Sequence, residues 1–236
     1  MPYRTMSLEE FADLVGLDPR QMQRAADRGE LPGRKVGGKW RFNRVQVHGW
    51  LEGRMLTLDQ DRLRALDRNI ARSPDGAQMP VTDLIGLESI DLNLHASTKT
   101  SVLRELVNLA DRTGLLYDRS ELFEALRQRE VQGSTALPHG LAIPHPQEPM
   151  PYATAEPLVC VARVSNAVAF GAPDGALTEL FFLICSHESS GHLHVLARLM
   201  RMLDDGTIDA LRAVDEAAEA LELLIARERE VAQTVT

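Results

Sequence analysis

Hydrophobic positions recur along this chain with two periods, and the changes of period mark its elements. Leu8, Phe11, Ala12 and Val15 fall at i, i+3, i+4 and i+7, one face of a helix. Ser7 with Glu10 forms a capping-box pattern ahead of it, so the helix begins at Leu8 and Gly16 breaks it. Asp18 followed by Pro19 opens a second short helix, with Met22, Ala25 and Ala26 inward and Gly29 as its stop. Alternation then takes over. Residues 31–42 read as two strands about a Gly37-Gly38 turn, with Val36, Trp40 and Phe42 on the apolar face. A helix over about residues 45–51 follows, burying Val47 and Trp50. Leu56, Leu63, Leu66 and Ile70 then return at heptad spacing over roughly two heptads, too short to be stable alone.

Residues 73–80 are rich in Pro, Gly and polar side chains and read as a linker. Helical spacing resumes at Val102, Leu103, Leu106, Val107 and Ala110, introduced by Ser97 and Ser101 and stopped by Gly114. A second helix, capped by Ser120, turns Leu122, Phe123 and Leu126 inward. Residues 141–143 form a brief apolar run, and residues 158–164 and 178–185 read as strands. The unbroken apolar run over 180–185 marks a central strand. Helices are expected near 192–203, 207–213 and 216–228. Strands alternating with helices indicate an α/β layered domain. The chain thus divides into a head (1–55), a connector of helix and linker (56–80) and a body (81–232).

Charge sharpens this division. The head holds ten Lys and Arg against seven Asp and Glu, a net +3, which leaves −11 of the formal −8 to the remainder. A basic head on an acidic body suggests that the head meets a polyanion. No run of eighteen apolar residues exists, so no membrane partner is expected. The N-terminus lacks the apolar core of a secretory signal. Cys160 and Cys185 lie in apolar strand-like runs and read as buried thiols, in keeping with a cytoplasmic location.

The candidate chemistry centres on His145, held between Pro144 and Pro146 at the end of the 141–143 run. Proline fixes φ, so the ring stands on a stiff backbone. An imidazole with an ordinary pKa near ~6.5 keeps a nucleophilic nitrogen at neutral pH.

Arg129-Glu130, Gly133-Ser134-Thr135 and Gly140-Leu141-Ala142-Ile143-Pro144-His145 together resemble the phosphohistidine signature of the mannitol/fructose/nitrogen-regulatory IIA proteins of the bacterial phosphotransferase system. His192-Leu193-His194-Val195-Leu196 and Ala169-Phe170-Gly171-Ala172-Pro173-Asp174-Gly175 extend the resemblance, which spans about residues 86–230. It implies a mixed β-sheet flanked by helices, with the phosphorylated histidine at the sheet's end and a histidine phosphocarrier protein as donor. Carried over by position, His145 is the acceptor, His192 the second histidine and Arg129 a bidentate clamp. Ser134 or Thr135 would orient the His145 ring. His192 would open a helix just after Ser189 and Ser190, where backbone N–H groups favour an anion. His194 falls on another face. Two positions depart from the pattern: His139 replaces a small polar residue, and Pro146 follows the acceptor where glycine is common. No cofactor is implied. A metal site built from His139, His145, His192 and His194 is the weaker alternative, since no Cys or carboxylate has matching ligand spacing.

The head resembles the excisionase/MerR-type winged helix, on Arg28-Gly29-Glu30-Leu31-Pro32 and Val36-Gly37-Gly38-Lys39-Trp40-Arg41-Phe42. That resemblance implies DNA as a partner. Arg20, Gln21, Gln23 and Arg24 would read a major groove from the second helix, and Arg34, Lys35, Lys39 and Arg41 would meet the backbone from the hairpin. The heptad positions of 56–70 leave two outcomes open, a homodimer seam or packing on the chain's own domain. The whole reads as an α/β phosphoacceptor domain preceded by a small winged helix-turn-helix domain, a cytoplasmic regulator. The alternatives are a phosphocarrier with a protein-docking head and a non-phosphorylated anion or metal sensor.

Overall fold

The computed structural model describes residues 5–55, 58–72 and 79–233. They form two compact units that do not follow chain order. The first takes the residues up to Gln78 together with Ser189–Arg201; the second takes Met79–Glu188 and the residues from Met202 onward. A boundary at residue 80 therefore leaves out one helix of the first unit.

In the first unit, β1 (Thr5–Met6) leads into α1 (Leu8–Val15), whose capping box between Ser7 and Glu10 is formed as the sequence predicts. Asp18 caps α2 (Pro19–Asp27) by accepting from the backbone of Arg20 and Gln21. β2 (Gly33–Val36) and β3 (Lys39–Asn43) pair antiparallel about Gly37 and Gly38, and β1 adds to the other edge of β3. Both glycines have positive φ, 58° and 78°, the pair of values a tight two-residue hairpin turn requires. α3 (Arg44–Met55) runs a turn longer than the apolar pattern indicates. Phe11 is the hub of this core: its ring meets Phe42 at 5.0 Å and Trp50 at 5.5 Å, both edge to face. Two expected core positions differ. Val36 is exposed and Trp50 only half-buried, its indole N–H donating to the Glu30 carbonyl at 3.1 Å.

The heptad positions fall on α4 (Gln60–Arg72), where Leu63, Leu66 and Ile70 are buried within the chain. Leu56 and residues 73–78 of the expected linker lie outside the described residues. Of the two readings of that seam, packing on the chain's own domain is the one observed. α4 lies against α1, so closely that a Cβ on Gly16 would come within 2.6 Å of the Asn69 amide.

α7 (Ser189–Met202) completes this unit up to Arg201. Leu193, Val195, Leu196, Ala197 and Leu199 are all buried, as befits a helix apolar around most of its circumference. Its polar contact with α4 is a buried charge cluster. The Asp67 carboxylate, with no exposed surface, accepts from Arg198 Nε at 2.8 Å and from Arg201 Nη1, and lies 3.2 Å from His194 Nδ1. Burial alone would raise the Asp67 pKa, but its contacts with His194 and Arg198 outweigh it and hold it at about 2.

The second unit is built on a five-stranded mixed sheet of order β4 (Ile90–Leu94), β7 (Leu158–Val168), β8 (Thr178–Cys185), β6 (Leu141–Ala142), β5 (Ala136–Leu137). β4–β7 and β8–β6 are parallel; β7–β8 and β6–β5 are antiparallel. β8 is central, as its unbroken apolar run indicates. Leu158, Cys160, Ala162 and Val164 alternate on one face of β7 and join α5 (Lys99–Arg112) and α6 (Arg119–Gln132) in the main core. α9 (Ala217–Gln233), preceded by α8 (Asp205–Ala213), packs beside β4. The caps differ from the expected ones. Thr98 caps α5 with Ser101 as its reciprocal partner, and Asp118, not Ser120, caps α6. Cys160 and Cys185 are buried free thiols, and burial pushes Cys185 up to about 12.

Asp67→Asn leaves Arg198 and Arg201 without their counter-charge at a buried position, so it should cost about 3 kcal/mol of stability in urea unfolding. The Asp67 pKa is depressed in the folded state. Its contribution is therefore present above about pH 4 and lost as pH falls toward 2, and the variant should lack this acid-sensitive part.

Candidate functional site

His145 sits where the chain leaves the sheet. β6 is parallel to β8 through Leu141↔Leu180 and Ala142↔Phe181, and the register continues past its end: Ile184 N–H donates to the Pro144 carbonyl at 3.0 Å. On the other side Ile143 N–H donates to the Thr135 carbonyl at 3.1 Å. The residues on either side of His145 are buried, and its own side chain is only 4% exposed. Its Nδ1 is 2.8 Å from the Ile143 carbonyl. A carbonyl only accepts, so Nδ1 carries a proton and, in the neutral ring, the lone pair resides on Nε2.

The turn that feeds this segment is held by Glu130, at the end of α6. This buried carboxylate accepts from Thr135 N–H at 3.0 Å, from the Thr135 hydroxyl and from Lys99 Nζ at 2.8 Å. A series of hydrogen bonds then links the Glu130 carboxylate to Thr135, the Thr135 carbonyl to Ile143 N–H, and the Ile143 carbonyl to the His145 ring. Ser134 donates its hydroxyl to the Phe170 carbonyl at 2.8 Å and accepts from Ala136 N–H at 3.2 Å. The approach is close: at Gly171 a Cβ would meet Ser134 Cβ and Oγ at 3.1 Å, and φ there is 106°. The expectation that Ser134 or Thr135 orients the imidazole is thus corrected. Both hydroxyls are engaged in building the turn, and the Ile143 carbonyl orients the ring.

Arg129 is half-buried and donates to the Gly133 carbonyl at 3.0 Å, closing the C-terminus of α6. Glu130 and Lys99 carry the support that the sequence reading placed elsewhere. The Arg129-Glu130 dipeptide was the available signal, and Lys99, more than thirty residues upstream, gave none. His139, at a position expected to be small and polar, adopts φ 65°, a left-handed conformation in which Asn and His are both enriched. Its exposed ring lies 3.6 Å from Asp205.

His192 and His194 belong to α7. The helix starts at Ser189, so His192 lies within its first turn and does not open it. The His192 side chain is buried, with Nε2 3.3 Å from Glu52 Oε1 on α3. His194 is buried beside Asp67, as a structural histidine.

Residues 83–227 match the family model described as phosphoenolpyruvate-dependent sugar phosphotransferase system, EIIA 2, and residues 5–55 match a helix-turn-helix domain. The chain belongs to the EIIA 2 family. It is 34% identical over 151 residues to a nitrogen regulatory protein of Bradyrhizobium diazoefficiens, covering 63% of this chain and 95% of that one. It is 33% identical over 127 residues to a fructose-specific EIIABC component of Bacillus subtilis, covering 53% of this chain but only 20% of that longer protein. Its structure resembles the nitrogen regulatory protein IIA-Ntr of Neisseria meningitidis with a TM-score of 0.56 at 28% identity, over 61% of this chain and 98% of that one. No described helix is long and apolar enough to cross a membrane.

The helix-turn-helix segment sorts its cations onto two faces. The register pairs Arg34 with Arg41, Lys35 with Trp40 and Val36 with Lys39. Arg34, Lys39 and Arg41 therefore share one face of the hairpin with Val36, while Lys35 shares the other with Trp40 and Phe42. Lys35 is spent there, 2.9 Å from Asp27 and 5.2 Å from the Trp40 ring centroid. On α2, Arg20, Gln21 and Arg24 are exposed, whereas Gln23 is half-buried and donates to Asp27 at 2.9 Å. Lys35 and Gln23, expected among the exposed polar contacts, are not displayed with the others.

Glu130→Gln in the EIIA 2 segment should weaken the Thr135 turn and strand Lys99, costing about 1–3 kcal/mol. In nitrogen NMR the His145 ring should show a protonated Nδ1 and an unprotonated Nε2 when neutral, a tautomer preference that blurs in the variant.

Proposed function

We propose that this chain is a cytoplasmic regulator that accepts a phosphoryl group on His145 and binds DNA through its helix-turn-helix segment. The observation that carries the first half is the His145 Nδ1 contact with the Ile143 carbonyl, on a backbone pinned from both sides. It points Nε2 as the nucleophile. In-line attack of Nε2 on the phosphorus of a phosphohistidine donor breaks one N–P bond and forms another. The Nδ1 proton stays in place, so no general base is needed. Phosphoryl transfer of this kind depends on positioning and on positive charge near the phosphoryl oxygens more than on covalent assistance. Arg129 is the candidate clamp, and His192 carries over as the second histidine of the motif. A histidine phosphocarrier protein is the donor class that the family resemblance favours.

DNA binding is supported by the exposed α2 face with Arg20, Gln21 and Arg24, and by the hairpin face with Arg34, Lys39 and Arg41. A helix that reads base edges and a basic ribbon that meets phosphates are the two parts such a reader needs. An acceptor joined in one chain to a helix-turn-helix segment fits regulation of transcription.

With a phosphorylated phosphocarrier as donor, the wild-type chain should take up an acid-labile label that His145→Ala abolishes; full labelling of the variant would refute the assignment. Arg24→Ala should cost about 1–3 kcal/mol of DNA affinity and relax specificity at one base position, while Lys39→Ala weakens all sequences alike. Lys35→Ala should change affinity less than Lys39→Ala in the same titration, because Lys35 is paired on the opposite face.

A further inference from the structure

We propose that Arg212, on α8, is a positioning residue for His145: its guanidinium fixes where β6 starts along β8, and so where the chain delivers the ring. This rests on the reading above in which His145 accepts the phosphoryl group. All the groups involved belong to the second unit.

β6 needs such a fixture because its pairing with β8 does not choose a register. It is two residues long and meets β8 through Leu141↔Leu180 and Ala142↔Phe181. β8 is buried and apolar on both faces from Leu180 to Cys185, so a slide of two residues along it would again set apolar side chains opposite each other. Such a slide would carry Pro144 away from Ile184 N–H, and His145 with it. The antiparallel pair β5–β6 has to be fastened by other means. Glu130 holds its open end at Thr135. Arg212 holds its closed end, the turn over residues 138–140.

At that turn the Gly140 carbonyl accepts from the backbone N–H groups of Glu179 and Leu180, at 2.9 and 3.1 Å. Arg212 Nη2 donates to the adjoining His139 carbonyl at 2.6 Å, and its Nε to the Glu179 carboxylate at 2.6 Å. One guanidinium therefore joins the residue before Gly140 to the residue of β8 that already holds Gly140, and its planar fork leaves little freedom in the spacing. The passage is tight. A Cβ on Gly140 would come within 2.9 Å of Arg212 Nη2 and 3.3 Å of the Leu177 carbonyl, at a φ of 76°. From the other side Asp174 accepts from His139 N–H at 3.3 Å. Asp205, Asp209 and Arg212 stand at i, i+4 and i+7, so one face of α8 meets the turn: Asp205 lies 3.6 Å from the His139 ring, and Asp209 accepts from Arg212 Nη1 at 2.8 Å. The end of α8 is itself tied to the sheet. Arg163 on β7 donates Nη1 to the Arg212 carbonyl at 2.7 Å and to the carbonyls of Leu211 and Val214. The brace thus runs from β7 through α8 to the turn, and the turn is five residues from His145.

The test uses the full chain. Initial rates of labelling are measured against the concentration of phosphorylated phosphocarrier. Arg212→Ala should lower the maximal rate by on the order of ten-fold and leave the half-saturating donor concentration unchanged, as expected when a reacting atom is displaced by less than about 1 Å. Asp209→Ala removes an exposed partner of the same guanidinium but leaves the turn held, and it should label as wild type does. In nitrogen NMR of the unmodified proteins, Arg212→Ala should shift the His145 ring resonances and Asp209→Ala should not. Arg212→Lys keeps the charge but has no fork to join His139 to Glu179. It should show the same loss in smaller measure, and it carries the test if the alanine variant does not fold. A wild-type maximal rate in the Arg212 variants, or unshifted His145 resonances, overturns the proposal. So does a loss confined to the half-saturating concentration, which would place Arg212 in donor binding. Absence of labelling in every form, wild type included, would overturn the phosphoacceptor reading, while the ring resonances still decide whether Arg212 positions His145.

Discussion

Burying a carboxylate costs several kcal/mol unless cations surround it, and Asp67 is buried completely. That constraint organises the first unit. His194, Arg198 and Arg201 stand at i, i+4 and i+7 on α7, one face of the helix, so a single register brings all three to Asp67. Apolar packing of Leu63, Leu66 and Ile70 would tolerate a slip of the helices; the charge cluster does not. It fixes α4 against α7 and so sets where His192, half a turn before His194, meets α3. The chain thereby ties a stretch of its EIIA 2 segment to its helix-turn-helix segment in one compact unit, although well over a hundred residues separate them in sequence.

The second unit solves a different problem, that of aiming one ring. A carbonyl two residues back orients the His145 ring, and that carbonyl is held because Ile143 is bound to Thr135 and Pro144 to Ile184. Proline on both sides narrows the backbone further. Glu130 is the foundation of this arrangement: it gathers Thr135 and Lys99 at the turn, where Gly171 permits the close passage of Ser134. Positioning of a ring in this way is a property of the sheet's end and is inherited from β8.

Much of this was legible in the sequence, because it was local. The capping box at Ser7, the Asp18-Pro19 start, the Gly37-Gly38 turn and the central strand over residues 180–185 each depend on neighbours within a few positions. β4 and β5 were not legible, since a strand of five residues between tight turns and one of two residues carry little periodic signal. The motif strings located His145 and His192 but not what holds them. Lys99 with Glu130, Asp67 with Arg198 and Arg201, and Glu52 with His192 all join distant parts of the chain, and charged residues on helices otherwise read as solvated faces. The heptad spacing of α4 was real, but periodicity states only that a face is apolar, and the covering partner proved to be the chain itself.

If the chain is a switch, its two halves must exchange free energy. The direct measurement is the affinity of the full protein, before and after stoichiometric phosphorylation of His145, for a DNA fragment that the unmodified protein selects from a random pool. The titration is made at two salt concentrations, since screening confines simple charge repulsion to about 8–10 Å at moderate salt. The account predicts a change of about 5–150-fold, a coupling of roughly 1–3 kcal/mol, that persists at the higher salt. Equal affinities for the two forms at both salt concentrations would contradict it.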